Sequence, residues 1–227
     1  MRFLQMRRCF FLAVLIFSAL TAIMCVDSYA LQDGKAVLII DPGHGGLDGG
    51  AVSADGTAES GINLAVSERI YALCCLFGTP SVMTRDSETL DYPAEAVTVH
   101  DKKVWDQKRR AELANSYDAA VLLSIHQNKY PDPRPSGTQV YYGKTGGSPE
   151  FGTLLHDNLM MHLCPENRRV AAPISESIYL MKAVRCPSVL VECGFLSNPE
   201  ETALLKDSGY QLKLAAVIFA SYLQYIT

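Results

Sequence analysis

The sequence predicts an α/β fold: a single central, mostly parallel (mixed) sheet of about six strands with helices on both faces. Strand-like and helix-like segments alternate through most of the chain, the pattern of layered α/β domains. Three strand segments are almost wholly apolar, as strands covered on both sheet faces must be. Another, Gly137 to Tyr142, alternates Thr138, Val140 and Tyr142 with their neighbours, which puts at least one strand at an edge or in antiparallel pairing.

Each element has its own signal. Ala36 to Ile40 is a short apolar run stopped by Asp41-Pro42-Gly43, a buried strand ended by a turn. Asn63 to Phe77 places Leu64, Val66, Ile70, Leu73 and Phe77 at helical spacing. Ser81 to Thr84 reads as a short strand. Residues 86–105 are polar and irregular, contain Pro93, and read as a surface loop. Gln107 to Ser116 is a charged helix, and Ala119 to Ile125 a second buried strand. After the alternating strand, Pro149 to Leu163 reads as a helix, and Ile178 to Met181 and Ser188 to Cys193 as strands. A last helix starts near Asp207, with Ala215, Ile218, Phe219, Tyr222, Leu223 and Ile226 on its core face.

A chain of 227 residues forms one domain of ordinary size. With 48% hydrophobic and 19% charged residues, wholesale disorder is excluded. Twenty basic and 24 acidic residues, a net charge of −4, speak against a basic nucleic-acid binder. The first thirty residues stand apart. Arg2, Arg7 and Arg8 precede an uncharged run of 18 residues, Cys9 to Val26, and Ser28-Tyr29-Ala30 offers small residues where a signal peptidase reads. Residues 1–30 are therefore a secretory signal cleaved after Ala30, or an uncleaved N-terminal membrane anchor, since the run is just long enough to span a bilayer. Either way residues 31–227 are extracytoplasmic. That part carries 17 basic and 23 acidic residues and five cysteines: Cys74, Cys75, Cys164, Cys186 and Cys193. An odd number without regular spacing is no disulfide framework, and the lack of CxxC gives no support for a thiolate zinc site.

Three polar residues sit at the carboxyl ends of apolar strands: His44 after Asp41-Pro42-Gly43, His126 after Ser124-Ile125, and Glu192 after Val189-Leu190-Val191. Ligands in open α/β sheets collect beyond those ends. Two histidines and a carboxylate in an exported protein suggest zinc, which takes imidazole nitrogen and carboxylate oxygen. A strand-to-helix turn with an exposed His44, or a phosphate cradle, is the competing reading of the glycine-rich loop, although the loop fails GxGxxG and Gly143-Lys144-Thr145 fails the P-loop spacing. Glu192 lies in an apolar context where a carboxylate is costly unless paired or functional. It is either an ion-pair partner of an arginine or a catalytic acid–base group. His100, His156 and His162 read as surface or internally satisfied histidines.

Five separated motifs carry a resemblance: Asp41-Pro42-Gly43-His44-Gly45-Gly46; Glu59 with Asn63; Arg110 with Ala114-Asn115; Ser124-Ile125-His126-Gln127-Asn128; and Val191-Glu192-Cys193-Gly194-Phe195-Leu196-Ser197-Asn198-Pro199. In order and spacing they resemble the zinc-dependent N-acetylmuramoyl-L-alanine amidases of the bacterial cell wall, over residues 36–226. The resemblance implies that residues 31–227 are a zinc amidase catalytic domain. It implies His44, Glu59 and His126 as ligands of Zn2+ and Glu192 as the catalytic residue. Glu59 comes from the resemblance alone; by itself it reads as a carboxylate favoured at a helix N-terminus. Ser60 departs from the family, which usually has a basic residue there. Arg110 and Asn115 read as structural, the first pairing with a carboxylate and the second capping its helix. Cys193 reads as packing. Asp41 and Ser124 are candidates for orienting the imidazoles.

Only 66 residues separate His126 from Glu192, which leaves no room for the autoinhibitory helix of the septum-splitting branch. Without wall-binding repeats, the chain looks most like the germination-specific branch that modifies spore cortex. Tyr179-Leu180-Met181-Lys182 and the closing Tyr210-Gln211-Leu212-Lys213 helix fit that branch. The implied reaction is hydrolysis of the amide between N-acetylmuramic acid and L-alanine. The implied partners are peptidoglycan glycan strands and stem peptides, and a recruiting or activating protein. No nucleic acid is expected, and membrane contact only through the N-terminal segment. The implied location is secreted or membrane-anchored, in the spore intermembrane or cortex space. A peptidoglycan-binding module without turnover, or a zinc peptidase acting on wall peptides, stands as the alternative.

Overall fold

The apolar runs do form the middle of a sheet. In the computed structural model, which describes residues 36–227, six strands are laid down: β1 (Val37–Pro42), β2 (Ser81–Met83), β3 (Ala120–Asn128), β4 (Gln139–Tyr142), β5 (Ala172–Pro173) and β6 (Ser188–Phe195). The signal or anchor segment read from residues 1–30 lies outside the described residues. The strand order is β2-β1-β3-β6-β4-β5. β2, β1, β3 and β6 are parallel, and β4 runs antiparallel to β6. The alternating segment is therefore antiparallel, and the outer edge beyond it is the two-residue β5.

Six helices accompany the strands among the described residues: α1 (Glu59–Leu76), α2 (Val99–Asn115), α3 (Ser148–Leu163), α4 (Tyr179–Ala183), α5 (Pro199–Lys206) and α6 (Ser208–Ile226). Strand periodicity sorts the core into two layers. Leu38, Ile40, Leu123, Ile125, Val189 and Val191 share a cluster with α1, α3 and α6. Ile39, Leu122 and Leu190, one residue out of phase, share the other with α2 and α4. Phe151, Leu155 and Leu159 of α3 are fully buried. Each such side chain contributes about 1.5–3 kcal/mol of transfer free energy.

Several elements depart from the sequence reading; besides the two-residue β5, which carries no signal of its own, four have a local reason. α1 begins at Glu59 rather than Asn63, because the residues it buries at its start are mostly polar, Glu59, Ser60 and Asn63, with Ile62 the single apolar one. α2 begins at Val99, inside the expected loop. Its start is fixed by a capping box between Thr98 and Asp101, and the polar first turns hide it. Ile178 to Met181 is not a strand: Tyr179–Ala183 is a short helix, and four apolar residues cannot distinguish the two by period. α5 has its own start, where Asn198 accepts hydrogen bonds from the Glu200 and Glu201 amides ahead of Pro199 at the first turn. Asp207 caps α6 by accepting from Tyr210 N.

Candidate metal centre at the carboxyl edge of the sheet

The parallel strands β1, β3 and β6 all deliver their carboxyl ends to one edge. β1 stops at Pro42, and the chain turns through a tight loop closed by Gly45 N to Asp48 O (2.8 Å) and Asp48 N to Gly45 O (3.1 Å). His44 takes φ +61°, the one positive φ outside glycine among the described residues. A left-handed backbone at such a residue costs about 1–3 kcal/mol and persists only where surroundings enforce it. Gly43 has to lack a side chain, because a Cβ there would overlap the His126 ring. Gly50, at φ +71°, leaves room for the Glu59 carboxylate and the His44 ring.

Glu59 opens α1 and is 3% exposed. Its carboxylate accepts from Ala51 N (2.9 Å), Gln127 N (3.0 Å) and Asn63 Nδ2 (3.2 Å). The same carboxylate faces His126 Nδ1 at 2.9 Å and His44 Nε2 at 3.4 Å. Burial alone would raise Glu59, but the two imidazoles outweigh it and hold the carboxyl well below the usual range. Burial likewise opposes a charged His44, yet hydrogen bonds to Asp48 and Glu59 prevail and lift it to about 9. The His44 and His126 rings meet edge-on, centroids 5.0 Å apart.

One ligand atom from each of His44, Glu59 and His126 lies within 4.8 Å of the other two. Two imidazole nitrogens and one carboxylate oxygen are a borderline-soft donor set that suits zinc, and three protein ligands leave a position open. Glu192 stands beside this group, in register with His126 across β3 and β6. Its Oε2 is buried with no hydrogen-bond partner. The arginine ion pair allowed by the sequence does not form among the described residues. Burial pushes Glu192 up to about 7, with His126 pulling the other way. All four residues line a groove of about 540 Å3, together with Lys102 and Tyr179.

Other expectations resolve differently. Arg110 does pair with carboxylates: Nη1 to Asp41 Oδ1 (2.8 Å) and Nη2 to Asp106 Oδ2 (2.7 Å), at 3% exposure. Asp41 and Ser124 do not orient the imidazoles. Ser124 Oγ donates to Asp41 (2.6 Å), Thr84 Oγ1 donates to its other oxygen (2.6 Å), and the carboxylate faces Arg110. Asn115 does not cap its helix; its amide donates to Ala183 O (3.0 Å) and accepts from Arg185 N (2.8 Å), tying α2 to the end of α4. His156 is buried with Nε2 against Arg169 O (2.8 Å), while His100 and His162 are exposed, so none joins the group. Cys193 and Cys74 are buried in the apolar core.

Two residues escaped the sequence reading. Asp48 Oδ2 lies 3.0 Å from His44 Nδ1 and is itself bridged by Lys103 (2.8 Å). The rule that a ligating imidazole leans on a carboxylate, applied to the same loop, would have found it. Arg85, 4% exposed, donates into the His44 loop and had no flag beyond a cation after a short strand.

The profile of the N-acetylmuramoyl-L-alanine amidase family matches residues 38–222. The chain belongs to that family. It is an N-acetylmuramoyl-L-alanine amidase, and peptidoglycan is its substrate class. A germination-specific amidase of Bacillus subtilis is 37% identical over 200 residues, 88% of this chain and 83% of that protein. The LytC amidase of the same organism is 28% identical over 83% of this chain and 35% of its own length. The CwlD amidase of Clostridioides difficile, solved in complex with the GerS lipoprotein, superposes with a TM-score of 0.80. It is 34% identical and covers 84% of this chain and 98% of that one. The amidase thus resembles the germination-specific relative over most of both chains.

Proposed function

We propose that the amidase is a zinc hydrolase of spore cortex peptidoglycan, with His44, Glu59 and His126 holding the ion and Glu192 catalytic. The observation that carries this is the meeting of the three ligand atoms within 4.8 Å beside a buried carboxylate oxygen with no partner. Bound there, zinc supplies Lewis acidity that polarises the scissile carbonyl and acidifies water. Glu59, held charged by its hydrogen bonds, lowers the net charge of the site. Asp48 keeps the His44 ring turned toward the centre through Nδ1. Glu192 Oε2 takes the proton of the attacking water and delivers it to the leaving alanine nitrogen. Its raised affinity for a proton suits both halves of that transfer.

The cortex assignment is supported by likeness to the germination-specific relative. A lipoprotein-type partner that recruits or activates the enzyme is supported by the complex in which the CwlD neighbour was solved. In this reading residues 31–227 are the catalytic domain, placed outside the cytoplasm by residues 1–30 acting as signal or anchor. No helix among the described residues is long and apolar enough to cross a membrane. The test is mass spectrometry of products from the zinc-loaded chain incubated with cortex and with vegetative peptidoglycan. Stem peptides with an unblocked L-alanine, released faster from cortex, are expected. Equal release from both walls would remove the cortex assignment. Turnover undiminished after zinc is stripped and shown absent would remove the metal.

A further inference from the structure

Arg85 lies two residues past β2, and its guanidinium is directed entirely to backbone carbonyls. Nε donates to Pro42 O (3.0 Å), Nη1 to Ser87 O (3.0 Å), and Nη2 to both Gly43 O (3.0 Å) and Ser60 O (2.8 Å). No carboxylate among the described residues forms an ion pair with it. This contrasts with Arg110, which also grips the loop, at Pro42 O (2.7 Å) and His44 O (2.6 Å), but is balanced by two aspartates. A cation buried among neutral carbonyls costs desolvation free energy that ion pairing does not return. Its placement therefore serves the geometry it holds.

That geometry joins two ligand residues. Gly43 immediately precedes His44, and Ser60 immediately follows Glu59, so one nitrogen of Arg85 ties the two segments together. A side chain at Gly45 would overlap the Arg85 stem, so the loop closes directly on it. His44 meanwhile sits in a strained left-handed backbone, which relaxes to negative φ unless its neighbours are held. We propose that Arg85 is a positioning residue that sets the separation of His44 and Glu59 and so tunes metal affinity. This rests on the reading that His44, Glu59 and His126 bind zinc.

The test measures the zinc affinity of the full chain by competition with a chromogenic chelator, for wild type, Arg85→Gln, Arg85→Lys and His126→Ala. Leu159→Ala, a core substitution in α3 outside the groove, serves as a control that lowers Tm without touching the loop. Arg85→Gln is expected to weaken zinc about 10- to 100-fold, the range for groups that orient ligands. Arg85→Lys, which keeps the charge but cannot reach four carbonyls, is expected to fall between. Leu159→Ala is expected to bind zinc as wild type does. The visible absorption of Co2+ in the same site should change in Arg85→Gln and not in Leu159→Ala. Wild-type affinity and spectrum in Arg85→Gln would overturn the proposal. If that variant does not fold, unchanged affinity and spectrum in Arg85→Lys would do so. Failure of the underlying reading looks different: His126→Ala would then bind zinc as tightly as wild type.

Discussion

Glu59 and Glu192 stand at the same edge of one sheet and are treated in opposite ways. Glu59 receives two backbone amides and an asparagine amide and faces two imidazoles. Glu192 is half-buried, and its one fully enclosed oxygen, Oε2, has no partner. Fixed donors favour the charged form of a carboxylate, and bare burial favours the neutral one. One is therefore held as a permanent anion, and the other is poised to take up and give back a proton. In the proposed mechanism that difference in hydrogen bonding is what gives the two carboxylates different roles.

Substituting each carboxylate separates the two regimes. Glu59→Ala removes a proposed ligand and leaves three amide donors facing a void; zinc content by atomic emission should fall to background, and hydrolysis with it. Glu192→Gln is isosteric, so zinc content should hold while kcat falls by about 10²–10⁴, the usual contribution of general acid–base catalysis. A Glu192→Gln enzyme with wild-type kcat would abolish the distinction between the two residues.

Asp41 sharpens the comparison, because it is as buried as Glu59 yet serves no ligand. It accepts from Thr84, Ser124 and Arg110. Burial pushes its carboxyl up, but Arg110 and the two hydroxyls prevail and hold it below the ordinary value of 3.8. The stability it contributes is full above that ordinary value and is lost as pH falls through the depressed one. Asp41→Asn should cost about 3 kcal/mol, since Asp106 still partners Arg110. Denaturant midpoints at neutral pH check the cost, and the gap from wild type should narrow in acid. A midpoint equal to wild type at neutral pH would mean that the cluster is dispensable.

The sheet was legible because parallel central strands must be apolar throughout, and β1, β3 and β6 are. Beyond His126, β3 continues through the polar Gln127 and Asn128, and only the pairing of Asn128 with Phe195 reveals it. The start of α2 was hidden because a capping box and surface charges, not an apolar stripe, define it. At the site, strand ends pointed to His44, His126 and Glu192 without help. Glu59 needed the family resemblance, since its partners come from residues 44, 51, 63, 126 and 127, a set that only folding assembles. Asp41 is only a candidate orienter of the imidazoles in the sequence, because proximity along the chain cannot tell that Arg110, 69 residues away, claims it first.

The smallest effect lies in the protons that the metal displaces. With His44 lifted to about 9, the metal-free site carries a proton on that imidazole at pH 7. A ligand nitrogen must be neutral to coordinate, so zinc competes with this proton. The sign follows directly: apparent zinc affinity should rise as pH rises toward 9 and level off above it. The slope should be about tenfold per pH unit for one displaced proton. Calorimetry in two buffers of different ionisation enthalpy at pH 7 should count about one proton released per zinc. In Asp48→Asn one of the two anions that sustain the His44 proton is gone and only Glu59 remains, so the count should drop and the plateau should move to lower pH. An unchanged count and plateau in that variant would mean that Glu59 alone sets the charge of His44 and would remove Asp48 from that role.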